Sequence, residues 1–460
     1  MKLDGSTTAV KASDRSSPPQ LRNRGRPALL HQTRDRRREA DVPQPQAIAQ
    51  RPLDALNFFL ADVRDGLGPY LAIYLLTEQK WDQASIGVVM AVAAVAGIVA
   101  QTPAGALIDA SKAKRALIVG AAVAVTLASL TLPFIHSFAA VAATQALAAA
   151  AAAIFPPAIA AVTLGIVGPR AFARRIGRNE AYNHAGNAAA ATLAGLFAYG
   201  FGPIVVFWLL AAMALASVLA TLAIPRDAID DAVARGLGHG AGGGDDAQDQ
   251  PSGFTVLLGC KPLLIFAVAT VLFHFANAAM LPLVGQKLAL ANKELGTTLM
   301  SVCIVAAQLV MVPVAMLVGA KAEVWGRKPI FATALAVLAL RGALYPLSDN
   351  AYWLVGVQTL DGVGAGIFGA LFPLVVADLT RGTGHFNVSQ GAIATAAGLG
   401  GALSSAAAGM IVVEAGYSAA FLFLAAVAAA ALAMFLIAMP ETAPGGAPQP
   451  AAKLSAQPLR

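Results

Sequence analysis

Long apolar stretches recur along the chain from about residue 53 to residue 439, separated by short polar connections. A membrane-spanning helix needs about 20 predominantly apolar residues. The pattern predicts an all-α membrane protein with twelve transmembrane helices, which we number spans 1 to 12. They cover residues 53–77, 84–108, 115–135, 139–166, 176–200, 204–224, 256–285, 296–318, 329–347, 352–377, 388–413 and 418–439.

Polar segments divide these spans into two sets. Residues 1–51 are rich in Arg, Pro, Gln and Ser, and residues 226–254 form a Gly-rich polar stretch between spans 6 and 7. Such compositions are typical of disordered tails and linkers. We therefore expect a disordered tail at 1–51, a six-helix bundle at 52–225, a linker at 226–254, a second bundle at 255–440 and a disordered tail at 441–460.

The two halves repeat one another. An offset of 213 residues aligns them without gaps and becomes 215 after span 5. Two repeats of the same orientation predict two pseudo-symmetric bundles, related by an axis along the membrane normal, with a site between them. The offset pairs Pro69 with Pro282, Lys114 and Arg115 with Arg327 and Lys328, Pro133 with Pro346, Gln145 with Gln358, and Ile154 and Phe155 with Ile367 and Phe368.

The positions of the basic residues predict the orientation. Counted together with the first six residues of the span that follows, the connections after spans 2, 4, 6, 8 and 10 carry 14 Lys and Arg residues, whereas those after odd-numbered spans carry 3. Cytoplasmic loops are enriched in Lys and Arg. We expect a multi-pass protein of the bacterial inner (plasma) membrane with both termini and the linker cytoplasmic. Eleven of the 32 Lys and Arg residues precede span 1, so the net charge of +7 does not indicate a nucleic-acid partner.

Composition narrows the function class further. Hydrophobic residues make up 57% of the chain and charged residues 12%, which disfavours a soluble enzyme. The chain has two cysteines, and it contains no nucleophile elbow and no His-Glu-x-x-His sequence. We therefore expect no enzymatic activity, no cofactor and no metal site.

Two loops carry a family resemblance. The connection after span 2 contains Gly105, Leu107, Asp109, Lys112, Lys114 and Arg115, and the one after span 8 contains Gly319, Glu323, Gly326, Arg327 and Lys328. With two halves of six spans, they resemble the major facilitator superfamily over about residues 52–440. Spans 4 and 5 lack the arginine and the Gly-Pro pattern that many drug exporters of that superfamily carry.

The resemblance implies alternating access and a latch that holds one conformational state. An acid at one helix end can face the N-terminus of another helix and complement its dipole. The alternative is that the basic residues only set the topology. The implied latch residues are Gly105, Asp109, Lys112, Arg115, Glu323, Arg327 and Lys328.

Ionisable residues inside spans are costly and usually face a cavity or each other. Asp62 and Asp65 lie one turn apart on span 1, so one carboxyl should hold a proton near working pH. Asp361 lies beside a glycine run in span 10. We expect these three acids to bind protons or substrate. The alternative is structural pairing, of an acid in span 1 with Arg64 or Arg341, and of Asp361 with Arg341.

Other polar residues lie at helical spacing inside spans. Glu180, Asn183, His184 and Asn187 share one face of span 5, and we expect them to form a hydrogen-bonded network at the cytoplasmic mouth. Metal binding by this set is the alternative. Candidate cavity residues are His274, Asn277, Gln145 and Gln358.

These features predict secondary active transport by alternating access, coupled to protons. The expected substrate is a small organic molecule or cation, exported rather than imported. Proton-coupled uptake of a small metabolite is one alternative, and a non-transporting membrane receptor or assembly factor is another. The expected partners are the lipid bilayer, the substrate and protons, and we expect a monomer.

Overall fold

The computed structural model describes residues 45–65, 71, 74–75, 78–201, 204–237, 258–291 and 296–443, and all structural statements concern these residues. Within them the elements are α-helices and short 3-10 turns, without a β-strand. Of the predicted tails at 1–51 and 441–460, residues 1–44 and 444–460 lie outside the described residues, as do residues 238–254 of the predicted linker.

The helices follow the predicted spans. In the first half they are Pro45–Ile48, Gln50–Asp65 (span 1), Gln83–Ala110 (span 2), Lys114–Leu130 (span 3), Phe138–Ala152 (start of span 4), Phe155–Phe201 (the rest of span 4, then span 5) and Val205–Ala223 (span 6). The linker contains the short helix Asp231–Ala234. In the second half they are Lys261–Ala278 and Met280–Ala291 (span 7), Gly296–Trp325 (span 8), Arg327–Leu344 (span 9), Ala351–Leu379 (span 10) and Phe386–Ala438 (spans 11 and 12).

Nine stretches of the described chain are long and apolar enough to cross a membrane. Phe138–Ala194 has 57 residues and Phe386–Ala438 has 53, yet a straight helix of that length would be about 80 Å, more than twice the hydrocarbon core. Each is broken at a glycine of positive φ, 67° at Gly168 and 84° at Gly416, which a side chain would strain. Each therefore holds two spans. The nine stretches therefore contain eleven spans, and span 1, described as Gln50–Asp65, completes the predicted twelve in the described residues.

The predicted repeat is visible in where the elements begin. Span 3 starts at Lys114 and span 9 at Arg327, 213 residues later. The same offset relates the 3-10 turns Leu132–Phe134 and Tyr345–Leu347. It also relates the residues that cap spans 4 and 10, where Ser137 and Asn350 accept backbone N–H groups through their side chains. The two six-helix bundles are therefore pseudo-symmetric.

Glycine and alanine let helices within each bundle approach closely. Gly97 of span 2 faces Ala149 of span 4, and Gly362 of span 10 packs on Ala307 of span 8. Lipid tails are as apolar as leucine side chains, so the hydrophobic effect does not drive membrane helices together. Close packing of small residues contributes much of their association instead. One buried apolar cluster lies within the first half, and another is built largely from the second.

We call the end of the molecule that carries the connections after spans 2, 4, 6, 8 and 10 the basic face. Described linker residues contact both bundles there. Asp231 pairs with Lys114 of span 3 at 2.8 Å, and the backbone N–H of Asp230 donates to Gly165 of span 4 at 3.1 Å. On the other side, the N–H of Gly382 donates to the carbonyl of Gly236 at 2.6 Å. The linker thus joins the bundles at the basic face.

Candidate functional site

The two bundles meet at the basic face through Asp109. Its carboxylate accepts the backbone N–H of Val388 at 2.8 Å and of Asn387 at 3.3 Å, and the Asn387 side-chain amide at 2.8 Å. These groups belong to the first turn of span 11, whose unpaired N–H groups and positive dipole favour a carboxylate. Asp109 therefore holds the end of span 2 against the start of span 11.

Glycines allow the backbones of the two bundles to touch beside this contact. A Cβ on Gly105 would overlap the backbone of Asn387, and one on Gly391 would overlap Gln101. A second pair of spans makes a similar contact, in which Gly177 of span 5 and Gly319 of span 8 face each other. These close approaches bring spans 2 and 11, and spans 5 and 8, together on the basic side.

A central cavity of about 630 Å³ lies between the bundles, beyond these contacts. Both halves line it, and most of its wall is apolar. Its aromatic wall comes from Phe368 and Phe372 of span 10, whose rings stack at 5.3 Å. The polar lining residues are Arg64, Gln101, Gln145, Glu180, Thr270, His274 and Gln390.

Several buried polar atoms of this lining have no hydrogen-bond partner in the part of the chain that the structure describes. They are Nε2 of Gln145, Oε1 of Gln101 and Oγ1 of Thr270, and Gln145 and Thr270 are 8% and 0% exposed. An unsatisfied buried polar group costs about 1–3 kcal/mol. A bound molecule with its own donors and acceptors can satisfy these atoms, so the cavity has the properties of a ligand site.

Glu180 and His184 of span 5 lie where this cavity meets the second bundle. Nδ1 of His184 is 2.7 Å from Oε1 of Gln308 in span 8. Nε2 of His184 is 4.0 Å from Oε2 of Glu180, and no described residue forms a hydrogen bond with it. The Glu180 carboxylate packs against Gly369 of span 10. The pair therefore contacts two helices of the other half.

Span 1 presents a different side chain to the cavity from those we expected. Arg64 lines the cavity, whereas Asp62 is not among the lining residues, and the side chain of Asp65 lies outside the described residues. Asp54, nearer the basic face, forms ion pairs with Arg178 and with Arg175. The assignment of Asp62 and Asp65 to proton binding stays a hypothesis.

Asp361 of span 10 lies in a buried cluster away from the cavity lining. It forms an ion pair with Arg341 of span 9 and accepts the side-chain amide of Gln358 at 3.1 Å. Gln358 in turn accepts the hydroxyl of Tyr345. This is the structural pairing that was the alternative for Asp361, and it places neither Asp361 nor Gln358 on the cavity wall.

The other residues of the implied latch have individual partners at the basic face. Arg115 donates to the carbonyls of Thr221 and Leu222, at the end of span 6. Lys112 is exposed. Arg327 pairs with Glu323 at 2.8 Å and with Asp378 at 3.0 Å, all within the second bundle. Of the contacts described for this set, those of Asp109 and Gly105 reach the opposite bundle.

Glu441, at the start of the predicted C-terminal tail, caps span 9. Its carboxylate accepts the backbone N–H groups of Arg327 at 2.7 Å and of Lys328 at 3.1 Å. Burial alone would raise the pKa of Glu441, but backbone N–H donors, including those of Thr442 and Ala443, lower it below its ordinary value. The first residues after span 12 are therefore bound to the connection between spans 8 and 9.

The remaining predicted residues divide between cavity and packing. His274 lines the cavity, is 3.0 Å from the Thr270 carbonyl through Nδ1 and meets the Phe368 ring edge-on. Asn277, Asn183 and Asn187 are half-buried and are not lining residues. Among the described residues, no group of three His, Cys, Asp or Glu side chains is placed to hold a metal.

Sequence reasoning missed Gln308 and placed Glu180 too near the basic face. Gln308 is a polar residue in the middle of span 8, and this isolation among apolar neighbours was its available signal. The helix that carries Glu180 leaves the bend at Gly168, 12 residues earlier, so Glu180 lies about 18 Å along it. Charge placement alone could not show that bend.

Comparisons with known proteins agree with this architecture. A family model described as Major Facilitator Superfamily matches residues 55–340 and 263–460. Two proteins of Mycobacterium tuberculosis, from strains CDC 1551 / Oshkosh and ATCC 25618 / H37Rv, are each described as an uncharacterized MFS-type transporter. Each is 63% identical to this chain over 401 residues, which is 87% of this chain and 95% of the relative.

Solved structures share the fold at low sequence identity. The human organic anion transporter MFSD10 (TETRAN) has a TM-score of 0.64 and 16% identity, covering 85% of this chain and 100% of the other. The proton:xylose symporter XylE bound to 6-bromo-6-deoxy-D-glucose has a TM-score of 0.64 and 11% identity, covering 87% and 96%. The chain therefore belongs to the major facilitator superfamily and is a multi-pass integral membrane protein of this family of secondary transporters.

Proposed function

We propose that this protein is a proton-coupled exporter of small, largely apolar organic molecules or cations. It works by alternating access in a bacterial plasma membrane, with the basic face and both termini cytoplasmic. The observation that carries the proposal is the cavity of about 630 Å³ between the two bundles, lined from both halves. A cavity of that volume is within the range that holds a drug-sized molecule.

The lining supports an amphipathic substrate. Phe368 and Phe372 offer a flat aromatic surface, and the amides of Gln101 and Gln145 offer polar atoms that have no partner among the described residues. Glu180 adds a carboxylate at one part of the wall. A cationic group can compete with a proton for a carboxylate in a poorly solvated cavity, and that competition is what exchange of substrate for proton requires.

The basic face supports the proposed orientation and cycle. Its Lys and Arg residues follow the distribution of cytoplasmic loops. In the described residues the bundles touch on that side of the cavity, through Asp109 and the paired glycines. Rocking of the bundles about the central site would break these contacts and open the cavity toward the cytoplasm.

Transport by purified protein in proteoliposomes tests this function. Vesicles with and without a pH gradient are given a panel of lipophilic organic cations, neutral dyes, sugars and organic acids. We expect gradient-driven movement of an amphipathic compound in the export direction. Movement in the opposite direction would show proton-coupled uptake, and no movement of any class would contradict the proposal.

Matched variants test whether the loss of flux depends on the cavity or would follow any substitution of similar size. Replacing Ala394, a small cavity-lining residue, with Phe should reduce flux by filling the cavity. Leu215 is exposed on span 6 and does not line the cavity, so Leu215→Phe is the control. The double variant Asp62→Asn/Asp65→Asn tests the sequence-based hypothesis for span 1. Unchanged coupled flux in that variant would exclude these two acids as the proton carriers.

A further inference from the structure

Glu180 and His184 form an ionisable pair that borders both the cavity and the interface between the bundles. Glu180 lines the cavity and packs on Gly369 of span 10, and His184 reaches Gln308 of span 8. His184 is 8% exposed, and its Nε2 has no hydrogen-bond partner among the described residues. A buried nitrogen facing a carboxylate without a hydrogen bond needs a chemical explanation.

The hydrogen bond to Gln308 restricts where the proton of His184 can be. Oε1 of Gln308 only accepts, so Nδ1 of His184 carries the hydrogen. In the neutral ring Nε2 is then a bare acceptor, and it faces Oε2 of Glu180 at 4.0 Å. Two acceptors without a proton between them repel each other, whereas one proton on either atom makes the contact attractive.

We propose that Glu180 and His184 together form a proton-binding site whose occupancy stabilises the contact of span 5 with spans 8 and 10. Proton binding at this site favours the conformation closed at the basic face. Proton release leaves two acceptors in contact and favours separation of the bundles there. The inference rests on the proposed function, because it assigns the site through which protons drive the conformational cycle.

The charged and titratable groups around this pair are compatible with a single exchangeable proton. On span 5 itself, Arg178 is occupied by Asp54 of span 1. Spans 8 and 10 contribute the uncharged Gln308 and Gly369 at the contact. Among the described residues, the other ionisable groups that line the same cavity are Arg64 from span 1 and His274 from span 7.

The proposed effect of proton binding, which favours the conformation closed at the basic face, agrees with the requirements of a transporter driven by an inward proton gradient. Protons must bind when the cavity is closed toward the cytoplasm and leave when it opens there. A site that is more stable with its proton in the closed conformation satisfies this order by linkage. The same order serves export and uptake, so it does not decide the direction of substrate movement.

A distance measurement between the bundles tests the site without a substrate. In a background lacking Cys260 and Cys303, spin labels are placed at the exposed positions Ala113 and Lys321, on different bundles at the basic face. Distances are measured in nanodiscs by pulsed electron resonance between about pH 5 and pH 8. We expect the closed-to-open ratio to rise as pH falls, by up to about tenfold per pH unit for one linked proton.

Variants assign the response to the pair. Glu180→Gln and His184→Gln should each flatten the pH response. Gln308→Leu, which keeps both ionisable groups, should lower the closed-to-open ratio by about fivefold, the effect of one lost hydrogen bond, and keep a pH response. Asp62→Asn/Asp65→Asn should keep the wild-type response. Folding of each variant is checked by monodisperse elution, and either variant of the pair suffices if the other does not fold.

The outcomes are distinct from those of the flux assay. A wild-type distance distribution that is independent of pH overturns the proposed site, as does a wild-type response in Glu180→Gln or His184→Gln. Loss of the response in Asp62→Asn/Asp65→Asn alone would assign the proton to span 1 instead. Absence of flux in the wild type contradicts the proposed transport function but leaves the distance measurement as a test of the proton site.

Discussion

The carboxylate of Asp109 accepts the backbone N–H of Val388 at 2.8 Å, and this bond joins the end of span 2 to the first turn of span 11. The two residues are 279 positions apart and belong to different bundles. The contact combines a hydrogen bond with the attraction of a carboxylate to a helix N-terminus. It can exist only while the bundles are closed at the basic face.

Asp109→Asn should therefore shift the protein toward the conformation open at the basic face. The neutral amide loses the charge–dipole attraction and one acceptor oxygen, a loss of about 1–2 kcal/mol. The closed-to-open ratio should fall at least fivefold, measured by the same interbundle distances. Asp227→Asn removes an exposed carboxylate at the same face and should leave the ratio unchanged. Equal effects of the two substitutions would contradict the role of Asp109.

Asp54 should be important for the stability of the first bundle. It is 6% exposed and pairs with Arg175, which is 4% exposed, and with Arg178. Asp54→Asn leaves the guanidinium of Arg175 buried without its counter-charge, which costs about 3–5 kcal/mol. The measurement is the free energy of unfolding in mixed micelles.

Arg178→Gln provides the matched comparison for Asp54. The side chain of Arg178 is 51% exposed, so its loss leaves a solvated region rather than a buried charge. The expected cost is below about 1 kcal/mol. If Arg178→Gln destabilised the protein as much as Asp54→Asn, the ion pair with buried Arg175 could not be the main contribution.

Much of the fold could be predicted because hydropathy and the 213-residue repeat are properties of the sequence itself. Lys114 and Arg327 begin spans 3 and 9 in the same register, as the aligned basic pairs indicated. The bends at Gly168 and Gly416 could not be distinguished in advance from other glycines. Whether a helical glycine serves packing or reverses the chain depends on neighbours that are distant in sequence.

The candidate site was harder to predict from the sequence. A residue belongs to it only if its depth in the membrane and the side of the helix on which it lies both bring it to the cavity. Helical spacing placed Arg64 on the side of span 1 opposite Asp62, but it could not tell which side faces the cavity. The structure places Arg64 there. Glu180 and His184 were recognised as one polar face, whereas their contact with Gln308 depends on how two bundles dock. Such interbundle contacts have no signature in a single sequence.

Glu441 should stabilise the protein in a pH-dependent way. Its pKa lies below the ordinary value of 4.5, so its contribution is fully present above about pH 5 and is lost as pH falls through the lowered pKa. A carboxylate at a helix N-terminus contributes about 0.3–1 kcal/mol. Glu441→Gln should lower the free energy of unfolding by this amount near neutral pH.

The pH series on Glu441→Gln has a simple control. As pH falls, the difference in the free energy of unfolding between wild type and the variant should shrink, because protonation of Glu441 removes the charge that the variant lacks. Glu414 is an exposed acid at the other end of the molecule, before Gly416. Glu414→Gln should show no such convergence. A Glu441 effect that stayed constant down to acid pH would mean that the charge at the cap is not what stabilises span 9.

Arg341 and Asp361 should behave as a structural pair rather than as a substrate site. Arg341 is 1% exposed, and Asp361 is its ion-pair partner in the second bundle. Removing either charge alone leaves the other buried, so Arg341→Leu and Asp361→Leu should each cost about 3–5 kcal/mol of stability. The double variant should recover most of that loss, because replacing a whole buried pair by apolar residues is often neutral.

Transport by the double variant decides between the two roles of Asp361. If the pair is structural, Arg341→Leu/Asp361→Leu should fold and keep gradient-driven flux within about threefold of wild type, since neither residue lines the cavity. If Asp361 carries protons or binds substrate, restored stability should not restore coupled flux. Gln358 donates to Asp361 and accepts the hydroxyl of Tyr345, so Gln358→Leu should be destabilising in the wild-type protein. In the double-variant background it should cost less, because only the bond to Tyr345 is still lost.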